Sequence, residues 1–318
     1  MMLKREQFFQ KGHAIAVYIF PDQRDCEHHT HEFWEVQIIT KGKATHRLDG
    51  NAKEVQKGDV FVIPEGAGHA YSNTKDLGVI NLLYIPEELE YKPDSLNELP
   101  GYHVLFNIEP QSMSKKRESV HLRLEPNQLM WLENFVGKMQ RETEKKTLGL
   151  RAFLMASFFE FQVEISKISS KTASTLSHEH EVGTLVSFFV THYNENITLD
   201  DCSKLTHMSR SSLNRFFNEY YNMSPLSYLM NVRLAQAESL LFSSDLSITN
   251  IAFDCGFRDS NYFSKLFKKM NGLSPHQYRK RHLTNSTFLN VPEVSLSVQK
   301  QFGRKNVQHP RLLVLPVD

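Results

Sequence analysis

Ser247–Arg281, SITNIAFDCGFRDSNYFSKLFKKMNGLSPHQYRKR, is the stretch on which the reading of this chain turns. Ser247 stands where a helix N-cap belongs. Ile248, Ile251 and Ala252 then share one face of a short helix, and Gly256 can end it in the left-handed conformation. Asp259 caps a second helix at once. Its Phe263, Leu266, Phe267 and Met270 recur at i, i+3, i+4 and i+7 as a stripe to bury, and Gly272 closes it. The opposite face carries Asn261, Ser264, Lys265 and Lys268 at the same spacing. These are amide, hydroxyl and cationic groups, the kinds that hydrogen-bond base edges or neutralise phosphates. The pattern is that of a complete helix-turn-helix.

The pattern occurs twice. Leu213, Phe216, Phe217 and Tyr220 lie fifty positions before Phe263, Leu266, Phe267 and Met270, Asn222 stands in the place of Gly272, and Ser224-Pro225 in that of Ser274-Pro275. Upstream of the turn the offset falls to forty-nine, pairing Leu199 with Ile248 and Cys202 with Ile251, so Arg258 is one extra residue in the second turn. In each Ser-Pro pair the serine caps a new helix and the proline takes its first position, where the missing N–H costs nothing. Between the copies Pro225–Ser243 reads as one long helix, with Leu229, Val232, Ala235 and Leu240 placed to pack both modules. Held rigidly and facing the same way, the two second helices would enter successive major grooves about one helical turn of DNA apart.

The tandem module, with IAFDCGF before the second turn, SPLSYLMNVRLAQAESLL between the copies and LSPHQYRK at the end, resembles the AraC/XylS transcription regulators over residues 181–283. The resemblance implies that Ser211, Asn214 and Arg215 on the first recognition helix, and Asn261, Ser264 and Lys265 on the second, face the bases. Arg210, Asn218, Lys268 and Arg279 complete the expected DNA-contacting set. A polar helix stripe is ordinarily only a solvated face; two equivalent stripes in a tandem module reverse that expectation.

Charge and length are consistent with this. The 318 residues suffice for about two domains. The net charge of +1 does not itself point to nucleic acid, but from Asp254 to Leu283 seven Lys or Arg stand against two Asp, a local +5. Cys26, Cys202 and Cys255 have no metal-ligand spacing and read as reduced structural thiols. No apolar run reaches a membrane span and MMLKREQFFQ lacks the apolar centre of a signal peptide, so a cytoplasmic protein is expected.

Residues 1 to about 108 are short alternating runs broken by turn residues, AIAVYIF, FWEVQIIT, ATHRLDG, DVFVIP and GVINLLYI, the pattern of an antiparallel barrel. Within them HTHEFWEVQIITKG and GDVFVIPEGAGHAYSN match in spacing the two motifs of a cupin barrel, through His29, His31, Glu35 and Gly42, then Gly58, Pro64, Gly66, His69 and Asn73. The fold class expected is therefore α+β: a cupin-type β-barrel with two packed helices, then an all-α tandem helix-turn-helix domain. Period-two alternation puts His29, His31, Phe33, Glu35 and Gln37 on one face, and His69, Tyr71 and Asn73 on one face of a later strand. His29, His31, Glu35 and His69 form a plausible first shell for a divalent metal. In regulators of the resembled family this barrel instead binds an effector, and His29, His31, Glu35, Gln37, His46, His69 and Tyr71 are the expected contacts for a polyhydroxy ligand. KREQFFQKGHAIAVYIFP, EHHTHEFWEVQII, Gly58-Asp59 and NLLYIPEEL resemble the activators of L-rhamnose operons, which implies L-rhamnose or a related sugar.

From Glu125 the period becomes helical. Pro126 opens a helix with Leu129, Leu132, Val136 and Met139 inward, and Leu150, Phe153, Leu154, Phe158, Phe161 and Ile165 continue in a second. Family resemblance implies a homodimer through residues 126–145. The domains expected are an effector-binding and dimerisation domain over 1–165, a serine-rich linker over 166–180, the DNA-binding domain over 181–283 and a poorly ordered tail over 284–318. The implied function is a ligand-responsive, sequence-specific transcription regulator of a sugar-utilisation operon, an activator that contacts double-stranded DNA and RNA polymerase and needs no cofactor. The alternatives are a metal-dependent cupin enzyme fused to a DNA reader, and a regulator indifferent to small molecules.

Overall fold

The computed structural model describes residues 1–89, 93–110, 122–172 and 178–285, the last four of these and Thr172 by backbone alone. They form two compact units, divided between Ser187 and Phe188.

The first unit is built on two long antiparallel strands. Met2–Leu3 (β1), Ile15–Phe20 (β2), Cys26–His31 (β3), Trp34–Leu48 (β4), Asn51–Gln56 (β5), Asp59–Ile63 (β6), His69–Tyr84 (β7) and Leu122–Arg123 (β8) form one sheet in the order β1-β3-β7-β4-β6-β8, with β2 on β7 and β5 on β4. FWEVQIIT and ATHRLDG, expected as separate strands, are one bent strand, β4. It pairs with β7 from Trp34↔Tyr84 to Leu48↔His69 through register shifts between Ile39 and Thr45. Gly42 lies at the bend with φ +71°, and a Cβ there would stand 2.1 Å from the Asp76 carbonyl oxygen, so only glycine fits the close approach.

The bend decides which side chains face inward. Before it the odd residues Phe33, Glu35, Gln37 and Ile39 point into the barrel, while Val36 and Ile38 join Ile80, Leu82 and Tyr84 on the outer face. After it the even residues Ala44, His46 and Leu48 are the buried ones. The outer face is covered by helices Pro126–Lys145 (α2) and Leu150–Thr172 (α3), which follow the short Pro100–His103 (α1) and the π-helix Val104–Ile108 that continues it. Leu129, Leu132, Val136 and Met139 of α2 and Leu154, Phe158 and Phe161 of α3 are at most 2% exposed, each burial contributing roughly 1.5–3 kcal/mol.

The linker expected over 166–180 needs correction at its two ends, its residues 173–177 lying outside the described residues. Residues 166–172 continue α3, with Ser166 and Ser169 buried, and residues 178–180 already belong to the next helix, His178–His192 (α4). Ser166, with its main chain closely approached by Gly101, sits on a packed helix face; serine content alone does not reveal such packing. The division between the units falls inside α4. The tail from residue 286 lies outside the described residues, and residues 284–285 end the last helix.

The second unit repeats its motif in three dimensions. Leu199–Leu205 (α5) and Arg210–Tyr221 (α6) form the first module, Pro225–Ser243 (α7) the connecting helix, Ile248–Asp254 (α8) and Ser260–Asn271 (α9) the second module, and Pro275–Asn285 (α10) closes it. The caps at Ser224, Ser247 and Asp259 fall where the sequence places them, and Ser209, fifty positions before Asp259, caps α6 in the same way. Ser209, Ser224, Ser247 and Asp259 each accept a main-chain N–H from the first turn they cap, and Asn222 and Gly272 end α6 and α9 in left-handed conformations. Two expectations shift. Met270 is 41% exposed, so the α9 stripe ends at Phe267, and α7 buries Leu229, Val232, Arg233, Leu234, Ala237 and Leu241, leaving Ala235 and Leu240 at the edge. Among the described residues no helix is long and apolar enough to cross a membrane. All three cysteines are free, and burial pushes the Cys202 and Cys255 thiols up to about 11 and about 12.

Candidate effector cavity and nucleic-acid interface

Inside the barrel, β3, β4 and β7 bring His29, His31, Glu35, Gln37, His69 and Tyr71 to one cavity of about 150 Å³. That is well above the roughly 10–15 Å³ a single water needs on the same measure. Its other wall is apolar, from Leu3 and Phe8 of the N-terminal segment to Phe20, Phe33, Val79 and Leu83. Leu3 lies in no motif, and nothing in KREQFFQKGHAIAVYIFP marks Phe8 as a cavity residue. Asn81 is marked: it is the one polar residue in GVINLLYI, it shares parity with Leu83, and its buried Oδ1 has no partner among the described residues.

His46 is a correction. It is 3% exposed but does not line the cavity, because the β4 bend carries it behind the wall, where its ring stacks on Tyr71 at 4.7 Å and lies 5.1 Å from Phe61. Tyr71 in turn donates from its hydroxyl to Gln37 Oε1 at 2.7 Å, which fixes both polar groups at the cavity floor.

His31, Glu35 and His69 converge, their ligand-type atoms all within 4.8 Å of one another. His29 is not in this set: its ring lies 4.2 Å from that of His69, but its Nδ1 turns to the Glu27 carbonyl at 2.9 Å, so four expected metal ligands become three. His31 Nδ1 donates to the Phe33 carbonyl at 2.6 Å, so Nε2 is the nitrogen left to accept when the ring carries one proton. That acceptor faces Glu35 Oε2 at 3.4 Å, as does His69 Nε2, and neither contact has hydrogen-bond geometry. Burial raises the Glu35 carboxyl, but its neighbours His31, His69 and Gln37 together outweigh that, so its pKa lies below the ordinary value. Burial carries His69 down to about 3 and His46 down to about 4, and pushes the Tyr71 phenol well up. At neutral pH the cavity therefore holds one carboxylate beside the neutral His69 imidazole. It presents acceptors that need donors, or a cation, from a ligand. The donor set fits a divalent cation, with the His31 Nδ1–carbonyl bond of the kind that orients metal-ligating imidazoles.

In the second unit α6 and α9 carry the expected contact residues on their outer faces. Ser211, Arg215, Asn218, Asn261, Lys265 and Lys268 are exposed, Asn214 and Ser264 half-buried, and the opposite faces bury Leu213, Phe217, Phe263 and Phe267. Two cations are engaged within the protein. Arg210 forms a two-pronged pair with Asp200, a residue of α5 with no counterpart in the sequence reading, and Arg215 lies over the Phe216 ring at 4.6 Å. Arg279 is half-buried on α10 and donates from Nε to the Leu241 carbonyl at 3.4 Å, tying α10 to the end of α7, while Lys280 and Arg281 are exposed there. Tyr262, 53% exposed beside Asn261, joins the outer face of α9, although an aromatic at that spacing reads as core from sequence.

Two family models match the chain, a helix-turn-helix domain over residues 202–281 and a cupin domain over residues 16–85. The HTH-type transcriptional activator RhaS of Escherichia fergusonii is 30% identical over 258 residues, covering 80% of this chain and 87% of the relative. The chain belongs to the AraC/XylS family of DNA-binding transcription regulators. The HTH-type transcriptional activator RhaR of Enterobacter sp. (strain 638) is 26% identical over 284 residues, 88% of this chain and 97% of that protein. Among solved structures, the DNA-binding domain of AdpA in complex with a target DNA matches at 28% identity and TM-score 0.33, over 34% of this chain and 96% of that domain.

Proposed function

We propose that this family member is a cytoplasmic, sugar-responsive activator of a sugar-utilisation operon, with L-rhamnose or a related sugar as effector. The observation that carries the effector reading is the cavity chemistry: a carboxylate, unprotonated imidazole nitrogens and the Asn81 carbonyl oxygen all accept, and a polyhydroxy compound supplies many O–H donors in a small volume. An anionic ligand would meet Glu35 unscreened. Likeness to relatives named RhaR and RhaS activators supports the class. Occupancy of the cavity would act on DNA binding or on RNA polymerase contact only to the extent that the sugar binds two states of the chain with different affinity.

Thermal unfolding against a panel of sugars tests this reading. At about one hundred times its Kd the effector stabilises by about 2.7 kcal/mol, a rise of roughly 5–10 °C for a unit of this size, and Glu35→Gln loses that rise. A panel that leaves the midpoint unmoved overturns the sugar. A second reading, a divalent cation on His31, Glu35 and His69, is favoured by the acceptor-to-acceptor contact at 3.4 Å. Bound there, the cation would supply a Lewis-acidic point for ligand oxygens. A sugar response abolished by chelator selects it, and turnover of the sugar would select the enzyme reading over the sensor.

We further propose a homodimer through α2, whose solvent side carries Met130 at 61% exposure and whose half-buried stacked pair Trp131 and Phe135, at 5.3 Å, packs at the edge of the core beside it. Sedimentation at micromolar concentration should give twice the 36.9 kDa chain mass. Met130→Glu should lower it towards that of one chain, and a monomeric wild type removes the proposal.

A further inference from the structure

The two copies of the module differ at one turn position, and the difference points to a contact that holds them together. His207 and Gly256 are equivalent in the repeat, and both have positive φ, 51° and 81°. The first module tolerates a side chain there and His207 is exposed. In the second, a Cβ on Gly256 would stand 2.8 Å from the Tyr193 carbonyl oxygen and 2.9 Å from both the Asn194 Cα and its carbonyl oxygen. The glycine is thus required by a neighbour as well as by its backbone angle.

That neighbour is the turn after α4. Its Tyr193 and Glu195 carbonyls each accept a hydrogen bond of 2.7 Å from one buried side chain, Arg233 of α7, through Nε and Nη2. Arg233 is 7% exposed, and it lies between the part of α7 that packs on the first module, at Tyr228 with Phe217, and the part that enters the second core, at Leu234, Ala237 and Leu241. Phe189, one turn of α4 before the bonded carbonyls, meets Phe217 and Tyr228 at 6.2 and 6.4 Å. The end of α4 is therefore seated on the first module, bonded to the connecting helix and pressed against the turn of the second.

We propose that Arg233, the 193–195 turn and Gly256 form a brace that fixes the separation and phase of the two recognition helices, making Arg233 a positioning residue for the spacing of the DNA site. A connecting helix alone leaves the second module free to rock about one axis; a second point of attachment away from that axis removes the freedom. The guanidinium suits the task because its planar fork reaches two carbonyls at once. This rests on both modules contacting DNA, as expected of α6 and α9 above.

The test uses the full chain. An operator is selected from random duplexes with the wild type, and affinities are then measured on it and on versions with one base pair added or removed between the two contacted segments. Each step moves one segment by about 3.4 Å along the axis and should cost the wild type on the order of tenfold. In Arg233→Met and in Gly256→Ala that cost should shrink to about threefold or less, since a rocking module follows the displaced groove. Arg233→Lys, which can still donate to one carbonyl, should fall between, and His207→Gly should match the wild type. If Arg233→Met does not fold, Arg233→Lys and Gly256→Ala carry the same comparison. Variants that lose affinity equally at every spacing, keeping the wild-type profile, overturn the brace. So does a His207→Gly profile as flat as that of Gly256→Ala. A wild type indifferent to spacing overturns the two-module reading itself.

Discussion

The double variant Arg215→Ala, Lys265→Ala should bind its operator about 2–6 kcal/mol more weakly than the wild type, the sum of about 1–3 kcal/mol from each recognition helix. The two residues occupy matching faces of α6 and α9, sit in separate modules and share no partner among the described residues, so their losses should add. Fluorescence anisotropy on the selected operator and on each single-base variant measures both affinity and preference. If each residue reads a base edge, each single variant relaxes discrimination at one position and leaves the rest of the site intact. If instead they touch only phosphate, binding weakens alike on all sequences and the dependence on salt flattens by about one ion per residue. Arg215 also loses its place over the Phe216 ring, worth about 0.5–1 kcal/mol at an exposed site, so the unfolding midpoint of the variant has to be read beside its affinity. Affinity unchanged in the double variant would mean that the reading face lies elsewhere on these helices, with Tyr262 and Asn261 the next residues to change.

Acid should loosen the barrel, and His46 is the residue through which to show it. Burial holds its folded pKa at about 4 against an ordinary 6.5. Between those values the unfolded chain takes up a proton that the folded barrel refuses, so stability falls as pH falls through that window and is unaffected above it. The difference amounts to about 3 kcal/mol for this one imidazole. His69, held at about 3, and His103, held at about 4, both by burial, act in the same direction, as does Glu35, whose lowered pKa makes its contribution one that is lost on protonation. Urea unfolding of wild type and His46→Phe at pH 7 and pH 4.5 separates the His46 share. Phenylalanine keeps an aromatic ring between Tyr71 and Phe61 and has nothing to protonate. The wild type should lose more stability on acidification than the variant; equal losses would mean that His46 takes up its proton in the folded state.

Much of this molecule is legible in its sequence, for reasons that are local. Ser209, Ser224, Ser247 and Asp259 cap helices because a short side-chain acceptor satisfies an N–H within its own first turn, a contact that needs no distant partner. The period of α2 and the paired stripes of α6 and α9 mark buried and outer faces with the same economy. The repeat at fifty residues exposes two modules and the helix between them before any coordinate is known. The cupin spacing likewise brings His31, Glu35 and His69 to one cavity.

What the sequence leaves open is set by contacts between residues far apart in the chain. Alternation assigns a face only while the strand stays regular, and the shifts around Gly42 exchange odd for even, so His46 points inward yet stops behind the cavity wall. Arg279 looks like a phosphate contact by its neighbours and is held by Leu241, thirty-eight residues earlier. Serine content suggests a linker where α3 continues, because Gly101 packs against the main chain of Ser166. By itself, then, the sequence determined the modules, their caps, their buried and outer faces and the residues that fill the barrel, each encoded in spacing along one element. Only the tertiary structure decided which histidines share the cavity, which arginines are already engaged and what braces the two modules, since those depend on close approach between elements that no single period records.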